Sequence, residues 1–198
     1  PDEVREDLAK THPEGAPRDA FPDAYRSIMR AKAAHYSRPR YGDKTPFHAS
    51  YVGHMLREFP DARVIHIIRD PRPTILSLRD MPWAPRSWIL NNRYLHRLAK
   101  EVAPHRDKIH EVRLEDLLAE PEREMRAILE FVDEPWDERV LDHTKHAPLD
   151  DVPPFPWLLT ATKARGSTPK RDWRERIPPA WIRQIEMRNA VYFDSYGY

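Results

Sequence analysis

The stretch that decides the fold is VIHIIRDPRPTILS, Val64 to Ser77. Its first five residues are apolar except His66, and they leave little room for a solvent face, which is typical of an inner parallel strand covered on both sides. Pro71 and Pro73 then suit the first turn of a helix. Between these two elements stand Arg69 and Asp70, so a strand predicted for the core ends in charge.

The pattern of strand and helix repeats further along the chain. A helix is predicted from about residue 86 to 102, a strand from 108 to 114, and another helix from Pro121. Such alternation favours an α/β domain with a parallel sheet between two layers of helices. We therefore predict a three-layer α/β/α fold.

The rest of the chain is assigned to the same single domain, residues 1–198. Residues 1–40 contain one helix-like segment, 24–35, and are predicted to form a peripheral helical arm. A helix is expected to begin at Thr45-Pro46. Its apolar face is predicted from residues spaced by four, Phe47, Tyr51, Met55 and Phe59. Residues 147–170 are proline-rich and loop-like, and a final helix is expected over 179–193.

Composition excludes several classes of function. Lysine and arginine total 33 against 32 acidic residues, so the formal charge of +1 argues against broad nucleic-acid binding. The chain has no cysteine, which excludes disulfides and a cysteine nucleophile. No apolar run is long enough for a membrane span, and we expect a soluble, cytoplasmic protein. There is no HExxH motif, and His143 with His146 supplies only two ligands, so no metal site is predicted.

The charged end of the strand is predicted to bind an anion. In open α/β sheets ligands bind at the carboxyl ends of strands, and the following helix offers free N–H groups there. Arg69 and Arg72 add charge-assisted hydrogen bonds, and Ser77, one turn into the helix, adds a hydroxyl. The alternative is that Arg69 simply pairs with Asp70 at a solvated strand end.

Four segments in order carry a resemblance to a known family. The R-x7-S spacing from Arg69 to Ser77 resembles the 3′-phosphate-binding element of the sulfotransferases, which transfer a sulfonate from 3′-phosphoadenosine 5′-phosphosulfate (PAPS). GDKTPF, residues 42–47, is similar to the lysine-containing segment of the bacterial and tyrosylprotein-type branch. VRLEDLLAEPEREMRAILEFV, residues 112–132, and GSTPK, residues 166–170 followed by Trp173 and a final YGY, resemble later parts of that family.

The resemblance implies a fold like that of the P-loop NTPases and transfer of sulfonate from PAPS to a hydroxyl or amine of a small molecule, sugar or peptide, with release of 3′-phosphoadenosine 5′-phosphate (PAP). It implies that Lys44 reaches the sulfonate or the bridging oxygen, although a surface lysine before a helix is the alternative. Arg69 and Ser77 would hold the 3′-phosphate, with Arg72 beside them.

The remaining implied roles are less specific. Ser167 and Lys170 would lie over the phosphates near the leaving oxygen, and Arg165 is a further phosphate candidate; an ordinary basic loop is the alternative. His48, close to Lys44, is a candidate general base, although a helix-surface histidine is the more common case.

Glu115 and Asp116 look catalytic, but the resemblance implies a structural role, as a helix cap or loop anchor. Some relatives have a tyrosine that touches the 3′-phosphate where this chain has Leu114. That hydroxyl is therefore missing here.

The resemblance also exposes a missing part. None of the five glycines lies in a lysine-serine-glycine-threonine loop after a strand, so nothing matches the loop that holds the 5′-phosphosulfate. We expect that element upstream of Pro1, and we expect that the 198 residues alone, as the C-terminal portion of a sulfotransferase domain, do not transfer sulfonate. The missing segment, or a second copy of the chain, is the implied partner.

Two other readings of the sequence stay open. VIHIIRD also resembles the strand of a P-loop-type kinase or NTPase that ends in a metal-holding aspartate, here Asp70, although Arg69 and Arg72 would compete with a metal for that carboxylate. A non-catalytic interaction domain can share the same fold, because fold does not prove function.

Overall fold

The computed structural model describes residues 21–142 and 172–198 of the chain. It divides the chain into two compact units, Pro1–Ala62 and Arg63–Tyr198. The single domain over residues 1–198 remains a prediction.

The first unit is helical in its described part. Helix α1 is Phe21–His35, and a 3₁₀ helix, Pro46–Tyr51, leads into helix α2, Val52–Glu58. The helix predicted from Thr45 therefore begins with 3₁₀ geometry. Because that geometry has three residues per turn, residues four apart do not line one face, and Phe47 and Tyr51 stay exposed. The predicted apolar face is wrong for those two residues.

The second unit is built on a parallel pair of strands. Strand β1, Val64–Ile68, pairs with β2, Ile109–Arg113, so that Ile68 lies beside Arg113. Helices α3, Pro71–Arg79, and α4, Trp88–Val102, connect the two strands. The strand–helix–strand order predicted from the sequence is confirmed, and the fold belongs to the α/β class.

Helices pack on both faces of this sheet, but not evenly. On one face Ile68, which is 2% exposed, packs against Ala99 of α4 and Tyr192. On the other face Phe131 stacks on His110 of β2 with ring centroids 5.2 Å apart.

The prediction that β1 is covered on both sides is wrong. Ile65 and Ile67 are 38% and 56% exposed. The covering contact on their face, between Phe131 and His110, lies over β2 rather than over β1. Among the described residues, Ile65 and Ile67 therefore form an exposed apolar patch at one edge of that face.

The chain continues from β2 through short helices and returns to the sheet near its end. Helix α5 is Leu114–Ala119 and α6 is Pro121–Phe131; after residues 143–171 come α7, Trp173–Arg176, α8, Pro179–Arg188, and α9, Ala190–Tyr196. Two further 3₁₀ helices are Ala103–Lys108 and Glu138–Leu141. The loop expected over 147–170 lies outside the described residues.

The final helix predicted over 179–193 is broken at Asn189. This residue is fully buried, and its side-chain amide donates to Asn92 Oδ1 at 2.5 Å and to the carbonyl of Ile185 at 2.9 Å. Periodicity alone did not reveal the break, because apolar spacing continues through it. Among the helices of the described ranges, none is long and apolar enough to cross a membrane.

Candidate functional site

The turn between β1 and α3 is organised by Asp70. This residue is buried and is the N-cap of α3: its Oδ1 accepts a hydrogen bond from the backbone N–H of Arg72 at 2.8 Å. The Thr74 hydroxyl donates to the carbonyl of Asp70 at 2.7 Å. The first bond satisfies a backbone N–H that a helix start leaves unpaired, and the second adds to the intrahelical bond that the Asp70 carbonyl accepts from the Thr74 N–H, so the start of α3 is closely defined.

The Arg72 side chain turns back onto the same carboxylate. Its Nε donates to both oxygens of Asp70 at 3.0 and 3.1 Å, and a terminal nitrogen donates to Oδ2 at 2.8 Å. The other terminal nitrogen donates to Glu186 at 2.9 Å. The guanidinium also faces the rings of Trp173 and Phe193, with its carbon 4.5 and 4.9 Å from their centroids. Arg72 is thus engaged on every side by the protein itself.

The electrostatics of Arg72 agree with this geometry. Burial lowers the pKa of its guanidinium, but the hydrogen bonds and charges of Asp70 and Glu186 outweigh burial and raise that pKa. Arg72 therefore remains charged and neutralises Asp70. The sequence predicts Arg72 as a phosphate ligand, whereas its position in the structure favours a role in holding the turn.

Arg69 has the opposite environment. It is exposed at the carboxyl end of β1, and within the described ranges no hydrogen bond or ion pair of its side chain is recorded. The alternative in which Arg69 pairs with Asp70 is wrong, because Arg72 binds that carboxylate. Arg69 is consequently the cation that this turn leaves free for an anion.

Ser77 lies farther along α3 than the sequence argument assumed. It is six residues after Pro71, the first residue of the helix, or about 9 Å along the axis at 1.5 Å per residue. Because seven residues are nearly two turns, Ser77 shares a helix face with Asp70. An anion that contacts both Arg69 and Ser77 would lie along this face of α3 rather than at its N-terminal end.

Glu115, on α5 just after β2, anchors the turn. Its Oε1 accepts from the backbone N–H of Asp70 at 3.2 Å, and its Oε2 accepts from the hydroxyl of Tyr198 at 2.8 Å. The predicted anchoring role of Glu115 is confirmed. The contribution of Tyr198 was missed; the only sequence signal was the aromatic YGY ending.

The first unit holds the other predicted residues, Lys44 and His48. Lys44 is exposed, and the preceding residue, Asp43, accepts from the hydroxyl of Tyr25 at 3.0 Å. The carboxylate oxygen that accepts this bond, Asp43 Oδ2, also lies 3.4 Å from His48 Nε2. Burial, and then the hydrogen bond to Asp43, raise the pKa of Tyr25 to about 12. His48 is therefore oriented by a carboxylate next to Lys44.

The late-loop residues cannot be placed in this geometry. Arg165, Ser167 and Lys170 lie outside the described residues, as do His143 and His146. Within the described ranges no cluster of three or more histidine, aspartate or glutamate side chains is arranged to hold a metal ion.

Comparison with known proteins defines the class. The model of the sulfotransferase family matches residues 2–138, which is more than half of the chain. The chain therefore belongs to the sulfotransferase family. This confirms the resemblance found in the sequence.

Individual relatives agree with the family. Protein-tyrosine sulfotransferase A of Caenorhabditis elegans is 31% identical over 127 residues, which cover 59% of this chain and 33% of that protein. The protein-tyrosine sulfotransferase of Drosophila melanogaster is 27% identical over 117 residues, covering 53% of this chain and 23% of that protein. An uncharacterized protein of Aquifex aeolicus is 34% identical over 121 residues, 54% of this chain and 16% of that protein. The matched region thus spans a third or less of each of these relatives.

A solved structure supports the fold. The crystal structure of sulfotransferase STF9 from Mycobacterium avium superposes with a TM-score of 0.62 at 17% sequence identity, covering 92% of this chain and 48% of that one. The likeness shows a sulfotransferase-type, P-loop-like α/β fold. It also shows that the chain corresponds to about half of that structure.

Proposed function

We propose that this chain supplies the 3′-phosphate site of a sulfotransferase that uses PAPS and transfers its sulfonate to a hydroxyl or amine. Family membership and fold support sulfonate transfer in general. The assignment of the 3′-phosphate site rests on the different environments of two arginines at the β1–α3 turn. Arg72 neutralises the buried Asp70, whereas Arg69 remains exposed and unpaired among the described residues.

An unpaired arginine beside a helix face with a free hydroxyl fits a phosphate. A guanidinium matches phosphate oxygens with two parallel N–H donors, and Ser77 can add a third donor from α3. The 3′-phosphate would then lie along α3, between the positions of Arg69 and Ser77. Among the described residues of the second unit, Arg69 and Ser77 form a group that fits the 3′-phosphate of PAPS.

Sulfonate transfer needs a group that stabilises the negative charge on the leaving oxygen and a base that takes the acceptor's proton. PAPS supplies the sulfonate: the acceptor oxygen or nitrogen bonds to sulfur while the bond from sulfur to the 5′-phosphate oxygen breaks, leaving PAP. We assign to Lys44 the stabilisation of negative charge on that leaving oxygen, which is an electrostatic role. We assign to His48, oriented by Asp43, the acceptance of the acceptor's proton.

The residues on the late loop keep their implied roles in this proposal. By the family resemblance we assign to Ser167 and Lys170 contacts with the phosphates near the leaving oxygen, and to Arg165 a further phosphate contact. The whole reaction is assigned to the gene product that contains this chain, since the relatives are much longer than the part matched here.

The kinase or NTPase alternative finds less support at the same turn. It would need Asp70 as a ligand of Mg²⁺. Both oxygens of Asp70 already accept hydrogen bonds from Arg72, and a metal would have to displace that pair. Titration with PAP and with ATP, each with and without Mg²⁺, separates the two: we expect Mg²⁺-independent binding of PAP.

The decisive experiment measures the contribution of Arg69 to binding of the 3′-phosphate. Dissociation constants for PAP and for 5′-AMP, which lacks the 3′-phosphate, are measured by NMR titration of the chain and of Arg69→Ala. Loss of a charge-assisted hydrogen-bonded contact costs about 1.5 to 3 kcal/mol, or roughly 10- to 150-fold in the constant for PAP. The constant for 5′-AMP should change little.

Arg183→Ala is the matched control. Arg183 is exposed on α8, and its side chain has no recorded partner among the described residues, so it tests the general effect of removing one positive charge. If Arg69→Ala and Arg183→Ala weaken PAP binding equally, the proposed site is wrong.

The role of Lys44 is tested by turnover. In the gene product that contains this chain, Lys44→Ala should lower sulfonate transfer while Lys32→Ala, which removes an exposed lysine from α1 of the same unit, should not. Equal activity of the two variants would contradict a catalytic Lys44 and would favour a non-catalytic interaction domain.

A further inference from the structure

Two tyrosines near the end of the chain each bind a glutamate, one on β2 and one just after it. The hydroxyl of Tyr196 donates to Glu111 Oε1 at 2.6 Å, and that of Tyr198 donates to Glu115 Oε2 at 2.8 Å. Gly197 between them has φ 65° and ψ 40°, in the left-handed region that glycine adopts easily. We call residues 196–198 the tyrosine segment.

The two glutamates differ in what they bind next. Glu111 lies on β2 and contacts His66 and Arg106. Glu115 lies on α5, and its second oxygen accepts from the backbone N–H of Asp70 at 3.2 Å. Its carboxylate is thus held at one oxygen by Tyr198 and at the other by the β1–α3 turn.

The bond from Asp70 to Glu115 bears directly on Arg69. The N–H of Asp70 belongs to the same planar peptide group as the carbonyl of Arg69. When Glu115 fixes that N–H, it fixes the orientation of the peptide plane that follows Arg69. The direction in which the Arg69 side chain leaves the strand is therefore set partly by Glu115.

Tyr198 in turn restricts Glu115. The guanidinium of Arg113 lies over the Tyr198 ring, 4.7 Å from its centroid, and holds the ring against β2. Burial is the main cause that raises the pKa of the Tyr198 hydroxyl above its ordinary value, and the hydrogen bond to Glu115 raises it further. The hydroxyl consequently remains a donor at neutral pH.

We propose that Tyr198 and Glu115 are positioning residues that hold the Arg69–Asp70 peptide in the orientation from which Arg69 binds the 3′-phosphate. The inference rests on the proposed function, because it assumes that Arg69 binds that phosphate. It makes the nucleotide site depend on Tyr198, which lies 129 positions after Arg69 in the sequence.

The test compares two tyrosine-to-phenylalanine variants in the same segment whose lost bonds lead to different places. Tyr198→Phe removes the bond to Glu115, whereas Tyr196→Phe removes the bond to Glu111 and the bond that its hydroxyl accepts from Arg106. Dissociation constants for PAP and 5′-AMP are measured by NMR titration of the 198-residue chain, and the melting temperature of each variant is recorded. Glu115→Gln is the second variant at the proposed relay, and it keeps the size of the side chain.

We expect Tyr198→Phe and Glu115→Gln to weaken PAP binding by about 2- to 10-fold, the effect of losing one ordinary hydrogen bond, with little change for 5′-AMP. Tyr196→Phe should lower the melting temperature at least as much as Tyr198→Phe does, and it should leave the ratio of the dissociation constants for 5′-AMP and PAP unchanged. A merely structural role of Tyr198 would move the melting temperature and not this ratio.

The outcomes separate the two proposals. If Arg69→Ala lowers the preference for PAP over 5′-AMP while Tyr198→Phe and Glu115→Gln behave like Tyr196→Phe, the positioning role is wrong and the phosphate site stands. If the unsubstituted chain shows no preference for PAP, or Arg69→Ala leaves that preference intact, the proposed phosphate site fails and the positioning role fails with it.

Discussion

Replacing Arg72 by alanine should destabilise the second unit, because it strands a buried carboxylate. The side chains of Arg72 and Asp70 are only 15% and 12% exposed. In the alanine variant Asp70 keeps its hydrogen bond from the backbone N–H of residue 72, but it loses every contact with a positive charge that the structure records. Removing one partner of a buried ion pair leaves the other charge uncompensated, which is the costly case.

The magnitude follows from the contacts of Arg72. Breaking a buried pair costs about 3 to 5 kcal/mol, and the small remaining exposure of Asp70 places this case near the lower end. The pair with Glu186, whose side chain is 38% exposed, adds at most about 0.5 kcal/mol. The faces of Trp173 and Phe193 add about 0.5 kcal/mol each. A loss of about 4 to 4.5 kcal/mol in the free energy of unfolding is expected, a large share of the roughly 5 to 15 kcal/mol typical of a domain.

The chain contains its own control for this experiment. Arg139 repeats the local geometry of Arg72: its backbone N–H donates to Asp137 at 2.9 Å, and its Nε donates to both oxygens of Asp137. The two pairs share the spacing Asp-x-Arg, but the side chain of Arg139 is 70% exposed. Exposed pairs contribute little, so Arg139→Ala should leave the free energy of unfolding nearly unchanged.

Urea unfolding followed by circular dichroism measures both variants. The double variant Asp70→Asn, Arg72→Ala should recover part of the loss, because it removes the stranded charge. If Arg72→Ala costs no more than Arg139→Ala, the reasoning from burial is refuted. If Arg72→Ala instead weakens PAP binding and leaves stability intact, Arg72 is a phosphate ligand, as the sequence alone predicts.

Three further substitutions test other parts of the second unit. Burial alone would raise the pKa of Glu111, but hydrogen bonds from His66 and Tyr196 and the charge of Arg106 outweigh burial and lower that pKa. The stabilisation by Glu111 is therefore present above the ordinary pKa of 4.5 and is lost as the pH falls through the lower pKa of the folded state. Glu111→Gln should accordingly flatten the acid side of a plot of melting temperature against pH. Gly197→Ala places a side chain at φ 65° in open space, so the left-handed backbone alone should cost about 1 kcal/mol, and the preference for PAP over 5′-AMP should fall. Asn189→Ala leaves the Oδ1 of buried Asn92 without its donor and should cost about 1 to 3 kcal/mol in urea unfolding.

The order of elements could be predicted because each has a strong local signal. These signals act within a few residues: the β-branched run forms β1, prolines begin α3 and α6, and Ser87 caps α4. The exposure of Ile65 and Ile67 could not be predicted in this way. It depends on where helices lie over the sheet, and an apolar run looks the same whether one face or both are covered.

The candidate site shows a similar limit. Sequence identified Arg69, Asp70 and Arg72 as a group but could not decide which arginine binds the aspartate, since both are within reach along the chain. The structure resolves this through Glu186, which lies 114 residues from Arg72 and draws the guanidinium toward α8. Tyr198 was equally invisible as a partner of Glu115, because the two are 83 residues apart.

In the described part of the chain one free cation, Arg69, stands at the turn, and it limits how tightly the turn can hold a nucleotide. Asp70 and Glu186 engage Arg72, so Arg69 is the cation of the turn that remains among the described residues. One charge-assisted contact contributes about 1.5 to 3 kcal/mol. Micromolar binding requires about 8 kcal/mol. With a bond from Ser77, this turn supplies about 2 to 4.5 kcal/mol, roughly a quarter to a half of that, so the rest of the affinity for PAP must come from groups outside the turn. A polypeptide that also carries a loop for the 5′-phosphate should bind PAP far more tightly, and the effect of Arg69→Ala, measured as a ratio, should be about the same in both.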